Sequence, residues 1–205
     1  MKYNPEVHHR RSVRLKGYDY AQEGAYFVTI LIKDRECLCG EAVNGEIHLS
    51  KIGQVVRDCW EEIPHHFPNV EIDGYVVMPN HIHGIIVISD VGARHASPLQ
   101  KHPTPAGTEK IVRPTGVKKC SVGAIVGSFK SAATKLINEL RHTPEFPIWH
   151  RNYYEHIIRN EESLNKIREY IIQNPLRWKY DMENTAGKPD SAEQDFWKDF
   201  GQNRK

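Results

Sequence analysis

Two strand-length apolar runs joined by a short turn set the first limit on how this chain folds. Residues 70–78 (VEIDGYVVM) and 81–88 (HIHGIIVI) are both rich in β-branched side chains, which favour strands. The dipeptide between them, Pro79-Asn80, is typical of turns. The two runs therefore predict an antiparallel β-hairpin.

Two further segments predict strands, 25–33 (AYFVTILIK) and 148–159 (IWHRNYYEHIIR), since both combine β-branched and aromatic residues. Between the first strand and the hairpin, Asn44-Gly45 is a dipeptide preferred in tight turns. We expect a short loop or a small hairpin there.

Apolar residues recur with helical spacing over three segments, 51–67, 121–140 and 161–174. A serine stands at the start of each of the first two as a candidate N-cap. Pro175 is expected to end or kink the third helix. The order of strands and helices predicts an α+β sandwich, in which helices pack on one or both faces of a mainly antiparallel sheet.

Composition argues against a membrane or exported protein. The chain has 205 residues, 39% of them apolar, and a formal net charge of +2. No run approaches the ~18 apolar residues that span a bilayer, and the N-terminus lacks the apolar segment of a signal peptide. The four cysteines form no CxxC pair, which argues against a zinc ribbon or a disulfide framework. We expect a cytoplasmic protein.

One main domain is predicted over residues 21–178, with a basic arm at 1–20 before it. Residues 89–119 show no sustained periodicity and are interpreted as a long loop insertion. The segment 179–205 is polar and is expected to be a loosely docked tail.

Basic residues that can contact phosphate cluster in the arm and around the second predicted helix. A solvated surface is the alternative, since charged segments are often exposed without binding anything. The candidate DNA-binding residues are Arg10, Arg11, Arg14, Lys16, Lys118, Lys119 and Lys130.

His81 and His83 form a pair with one residue between them. Side chains alternate between the two faces of a strand, so both imidazoles are predicted to lie on one face. Two imidazoles at that spacing can bind one divalent cation. Two half-buried histidines without a metal are the alternative from this feature alone.

Tyr170 and Asn174 are predicted to lie one turn apart on the same face of the third helix. A phenol and an amide oxygen there can serve as a nucleophile and a metal ligand, although a core tyrosine of an amphipathic helix has the same spacing. Tyr153 and Tyr154 face opposite sides of a strand, so at most one of them can join a site.

Three blocks in order, VMPNHIHGI, RNYYEHIIRN and YIIQNP, strongly resemble the REP-associated tyrosine transposases, which are single-tyrosine transposases of the HUH nuclease superfamily. The resemblance runs from about residue 17 to residue 178. It implies a ferredoxin-like α/β sandwich. It also implies that His81 and His83 bind the metal, that Tyr170 is the nucleophile, and that Asn174 is a third ligand, with the adjacent Gln173 as the less favoured choice.

The activity that this resemblance implies is cleavage and rejoining of single-stranded or hairpin DNA with Mg²⁺ or Mn²⁺. Tyr170 would attack the scissile phosphate and form a 5′-phosphotyrosine link with a free 3′-hydroxyl. Two other classes stay open: a domesticated DNA-binding protein of the same fold, and a metal-dependent hydrolase with a water nucleophile. The target sequence, the proton acceptor for Tyr170 and the choice between monomer and homodimer are not determined.

Overall fold

The computed structural model describes residues 18–89 and 120–200. Within these residues, no helix is both long and apolar enough to cross a bilayer. The strands are β1 (Gly24–Leu31), β2 (Gly40–Val43), β3 (Glu46–Leu49), β4 (Val70–Val77), β5 (His81–Ile88) and β6 (Tyr154–Ile158). The helices are α1 (Lys51–Glu61), α2 (Ile63–His66), α3 (Val122–Arg141), α4 (Glu161–Arg177) and α5 (Ser191–Phe200).

Four strands form one antiparallel sheet in the order β4-β5-β1-β6. Taken along the chain, β1, α1, β4, β5, α3 and β6 have the β-α-β-β-α-β order of a ferredoxin-like sandwich. The predicted α+β fold with a mainly antiparallel sheet is confirmed, and so is the β4–β5 hairpin.

The small β2–β3 hairpin turns at Asn44-Gly45, as the sequence predicts. Both residues have positive φ, 53° and 84°. A tight two-residue hairpin turn requires such values, and Asn and Gly adopt them at low cost. This hairpin lies outside the main sheet.

Helices α1 and α3 cover one face of the main sheet. Tyr26, Val28 and Ile30 of β1 belong to this core together with Ile82 of β5, and each has 0% exposure. Trp60 of α1 packs edge-on against Phe129 of α3, with ring centroids 5.3 Å apart. Side-chain alternation in the strands therefore assigns the even-numbered residues of β1 and β5 to this layer.

Gly84 lies on β5 directly beneath the Trp60 ring, and a Cβ added there would overlap the ring. We expect Gly84→Ala to lower the free energy of unfolding by about 1–3 kcal/mol, the usual cost of overpacking a core. Gly127 on α3 is the control, since a Cβ there meets nothing within 4 Å and Ala favours a helix. Urea unfolding of the two variants measures the difference, and equal stabilities would contradict the packing argument.

Helices α4 and α5 cover the opposite face. Phe27 and Ile85 of the sheet pack there with Ile167 of α4 and with Trp197 and Phe200 of α5. The expectation of a loosely docked tail beyond residue 178 is therefore wrong for the described part of that segment. The physical reason is that Trp197 and Phe200 share one face of a short amphipathic helix and are 5% and 7% exposed.

Some predicted boundaries differ from the structure. The helix predicted over 51–67 is divided into α1 and α2, with Pro64 in the first turn of α2, where a missing N–H costs little. Helix α4 does not end at Pro175 but continues two residues further to Arg177, and the proline removes the one hydrogen bond that a backbone N–H there would make to the carbonyl of Ile171. The strand predicted over 148–159 is shorter, and Trp149 forms only an isolated bridge with Ile32.

Candidate metal and tyrosine site

Strand β5 places the imidazoles of His81 and His83 on the sheet face covered by α4 and α5. Ile82 between them enters the opposite core, as the alternation of strand side chains requires. The two rings lie 4.3 Å apart between centroids, and the two residues are 1% and 0% exposed. The pair is thus fully buried at the centre of the sheet.

Asp181 faces both imidazoles from the segment between α4 and α5. Its Oδ2 atom lies 3.8 Å from Nε2 of His81 and 3.8 Å from Nε2 of His83. One ligand atom from each of the three residues lies within 4.8 Å of the other two. Burial by itself raises the pKa of Asp181, but the two imidazoles and an amide donor outweigh burial and hold the pKa well below its ordinary value.

The second nitrogen of each imidazole bonds to a neighbouring side chain. Nδ1 of His81 lies 2.8 Å from Oδ1 of Asn80, whose Nδ2 donates to the carbonyls of Arg35 and Glu183. An amide oxygen only accepts, so Nδ1 of His81 donates this bond and Nε2 is the nitrogen that faces Asp181. Nδ1 of His83 lies 2.9 Å from Oγ1 of Thr29 on β1.

Asn174 lies against the cluster, and Gln173 does not. Asn174 is 1% exposed and its Nδ2 donates to Oδ2 of Asp181 at 2.9 Å. Its Oδ1 has no hydrogen-bond partner among the residues that the structure describes. Gln173 is exposed and bonds to Glu169 on the outside of α4. Of these two predicted alternatives, Asn174 is the one with an oxygen buried near the histidines.

Tyr170 lies one helical turn before Asn174, with its ring centroid 5.3 Å from that of His83. Its hydroxyl donates to Oε1 of Glu193 at 3.0 Å, and its ring stacks on Phe196 of α5 at 3.7 Å and 7°. Burial, then the nearby Asp181 and Glu193 carboxylates, raise the pKa of Tyr170 well above its ordinary value. The phenol is protonated at neutral pH.

Tyr154, the first residue of β6, and Tyr153 just before the strand occupy packing positions. The ring of Tyr154 lies 5.2 Å from Trp197 and 6.2 Å from Phe27, within the α4/α5 core. The hydroxyl of Tyr153 donates to Oε2 of Glu155, two residues further along the chain. The ring of Tyr170, by comparison, lies against the imidazole of His83.

Lys130 is the one predicted DNA-binding residue that falls within the described ranges. Its ammonium donates to the carbonyls of His150 and Asn152 at 2.9 and 3.1 Å. Burial lowers the pKa of Lys130 to about 8. These bonds connect α3 to the segment before β6. The remaining candidates lie outside the described residues: Arg10, Arg11, Arg14, Lys16, Lys118 and Lys119.

Sequence reasoning missed two carboxylates of this site, Asp181 and Glu193. The spacing of Glu193, Trp197 and Phe200 at i, i+4 and i+7 is a helical signal that could have revealed α5. Asp181 lies in an irregular segment with no periodic pattern around it. It had no comparable local signal.

Comparisons with known proteins relate the chain to transposases. No family model matches it. A Haemophilus influenzae protein named only as uncharacterized is 45% identical over 181 residues, which cover 88% of this chain and 96% of that protein. A second Haemophilus influenzae protein, named as a REP-associated tyrosine transposase, is 23% identical over 163 residues, 79% of this chain and 76% of that protein.

A solved structure extends the likeness to the fold. The structure of a REP-associated tyrosine transposase bound to a REP hairpin superposes with a TM-score of 0.50 at 19% identity, covering 80% of this chain and 74% of that one. The chain therefore belongs to one family with the 45% identical Haemophilus influenzae protein, and its resemblance to the REP-associated tyrosine transposases is confirmed at the level of sequence and of fold.

Proposed function

We propose that this protein is a metal-dependent transposase that cleaves and rejoins single-stranded DNA at hairpin-associated sites. The observation that carries the proposal is the position of Tyr170, whose ring contacts one histidine of a buried His-His-Asp cluster. A nucleophile beside a candidate cation site is the arrangement that phosphoryl transfer to a tyrosine needs. The transposase relatives support the same class of activity.

The donor set fits a divalent cation. His81, His83 and Asp181 would hold it through two imidazole nitrogens and one carboxylate oxygen, and the buried Oδ1 of Asn174 is a further candidate ligand. The low pKa of Asp181 keeps its carboxylate ionised, as a metal ligand requires. When bound, Mg²⁺ or Mn²⁺ supplies Lewis-acid polarisation of the scissile phosphate.

Tyr170 supplies the attacking oxygen in this proposal. Its bond to the phosphorus replaces the bond to the 3′-oxygen, which leaves a 5′-phosphotyrosine link and a free 3′-hydroxyl. Because the link conserves one phosphodiester bond, attack by a 3′-hydroxyl reverses the step without ATP. Asn174 donates to Asp181 and so orients that carboxylate, while Thr29 and Asn80 orient the imidazoles.

A groove between α4 and α5 offers the DNA strand a route to Tyr170. It has a volume of about 270 Å³, and its lining includes Tyr170 and Phe196 together with two cations and four carboxylates: Lys166, Arg177, Glu169, Glu193, Asp195 and Asp199. Lys166 pairs with Glu162 and Arg177 pairs with Asp190, so a DNA phosphate would compete with these carboxylates for the two cations. Since the Phe196 ring lies flat on the Tyr170 ring, this ring has to move before a phosphate reaches the hydroxyl from that side.

The experiment that tests the function uses a 5′- or 3′-labelled single strand carrying a hairpin, with Mg²⁺ or Mn²⁺. We expect a cut strand and a protein–DNA adduct on a denaturing gel, and neither product from a blunt duplex of the same sequence. A regular duplex holds its phosphates where a helix-borne phenol cannot align with them. A domesticated DNA-binding protein would bind the hairpin without cutting, and a hydrolase would cut without an adduct.

The basic arm gives a separate prediction about DNA affinity. Deleting residues 1–16 removes Arg10, Arg11, Arg14 and Lys16. If these cations bind phosphates, hairpin affinity falls and the slope of log K against log[salt] becomes shallower by about 0.7–0.9 for each phosphate that the arm no longer neutralises. Fluorescence anisotropy between about 50 and 200 mM salt measures both quantities. An unchanged slope would show that the arm is a solvated segment.

A further inference from the structure

Glu193 is a buried carboxylate next to the candidate nucleophile. It belongs to the first turn of α5 and is 2% exposed. Its Oε1 atom accepts three hydrogen bonds, from the Tyr170 hydroxyl at 3.0 Å, from the Met182 backbone N–H at 3.0 Å and from Nε1 of Trp197 at 2.8 Å. Ionised carboxylates are rarely buried without a structural or chemical reason.

Asp190 fixes the first turn of α5, which carries Glu193, to the end of α4. Asp190 caps α5 by accepting from the Glu193 N–H at 2.9 Å, and the same Oδ1 atom accepts from Arg177 at the end of α4. Since Tyr170 also lies on α4, these bonds hold the Glu193 carboxylate beside the Tyr170 hydroxyl. The 3.0 Å separation between the Tyr170 hydroxyl and Oε1 is within the range in which a general base takes a proton directly.

We propose that Glu193 is the proton acceptor for Tyr170 during strand cleavage, an inference that rests on the proposed function. As the Tyr170 oxygen bonds to phosphorus, its proton passes to Oε1 of Glu193. The P–O3′ bond breaks, and the leaving 3′-oxygen takes up a proton from water. In rejoining, the 3′-hydroxyl attacks the phosphotyrosine and gives its proton to water, while Glu193 returns a proton to the departing phenolate oxygen.

The other carboxylate of the site is less suited to this role. Asp181 is engaged with both imidazoles and with Asn174, and a carboxylate that binds a cation cannot also serve as a strong base. Burial, then the nearby Asp181 charge, raise the pKa of Glu193 above its ordinary value, which strengthens it as a base. Glu193 is also the hydrogen-bond acceptor of the Tyr170 hydroxyl.

Glu193→Gln separates this role from a purely structural one. The bonds from Tyr170, Met182 and Trp197 all end on Oε1, and the amide oxygen of Gln can accept the same three donors. The variant therefore keeps the bonds that hold α5 and removes the basicity. If Glu193 only held Tyr170 in place, Gln would leave the rate unchanged, and if it held the hydroxyl away from DNA, Gln would raise the rate.

The test is single-turnover cleavage of the labelled hairpin strand by the full chain. We expect E193Q to slow adduct formation on the order of 10²-fold or more and to slow rejoining of isolated adduct by a similar factor. Hairpin affinity and melting temperature should stay close to those of the wild type. The matched control is D58N, because Asp58 is exposed on α1, on the opposite face of the sheet, and bonds to Arg57 rather than to any group of the site.

A rate for E193Q equal to or above that of the wild type overturns the proposal. If E193Q melts at a lower temperature, E193D serves instead. Asp keeps the carboxylate, but its side chain is one methylene shorter, which moves the carboxylate away from the Tyr170 hydroxyl. A slower adduct step in a stable E193D supports the proposal, and a wild-type rate overturns it. Wild-type protein that forms no adduct refutes the proposed function itself, whereas an adduct absent from Y170F but unaffected in E193Q refutes the Glu193 role alone.

Discussion

Tyr170→Phe is expected to abolish both strand cleavage and the covalent adduct. The substitution removes the one oxygen that would bond to phosphorus and leaves the ring that stacks on Phe196. The fold should lose about 1–2 kcal/mol of stability, because the hydroxyl's bond to the Glu193 carboxylate disappears. The measurement is a denaturing gel of 5′- and 3′-labelled single-stranded substrate.

Tyr154→Phe and Tyr153→Phe are the controls for that experiment. Tyr154 packs against Phe27 and Trp197, and Tyr153 bonds to the nearby Glu155, so Phe at either position should reduce stability or activity only modestly. An adduct that persists in Tyr170→Phe and disappears in Tyr154→Phe would identify Tyr154 as the nucleophile. The nucleophile would then lie on β6 and not on α4, the helix that carries Asn174.

Asp181→Asn is expected to cause the largest loss of metal affinity. The substitution replaces the anionic group of the cluster by a neutral amide, while both imidazoles remain. We expect Mn²⁺ affinity to fall at least 100-fold, since even groups that only orient metal ligands contribute roughly 10–100-fold. Calorimetric titration of metal-free protein with Mn²⁺ measures the affinity without any turnover, and DNA cleavage should fall in parallel.

A hairpin-binding assay distinguishes loss of metal binding from loss of the fold in Asp181→Asn. Phosphate contacts supply most DNA affinity, so Asp181→Asn should still bind the hairpin. His83→Ala should behave in the same way, and Asp195→Asn should keep the wild-type Mn²⁺ affinity because its carboxylate is exposed and bonds to Lys198. Unchanged Mn²⁺ affinity in Asp181→Asn, together with a large loss in Asn174→Ala, would make Asn174 the third ligand.

The sheet and its hairpins were predictable because their signals are local. The β-branched runs around Pro79-Asn80 form β4 and β5, and Asn44-Gly45 forms the turn for which these residues are suited. Boundaries were less predictable. Helix α4 continues two residues past Pro175, and β6 pairs with residues 25–29 only, although β1 itself continues to Leu31.

The sequence by itself determined that His81 and His83 share one face, because alternation in a strand is a property of the backbone and needs no partner. It also determined that Tyr170 and Asn174 share a helical face, since helical spacing is equally local. Only the tertiary structure decided which carboxylates meet these groups. Asp181 and Glu193 reach the site because α5 buries Trp197 and Phe200 against the sheet, and that burial brings a segment distant in the chain over the imidazoles.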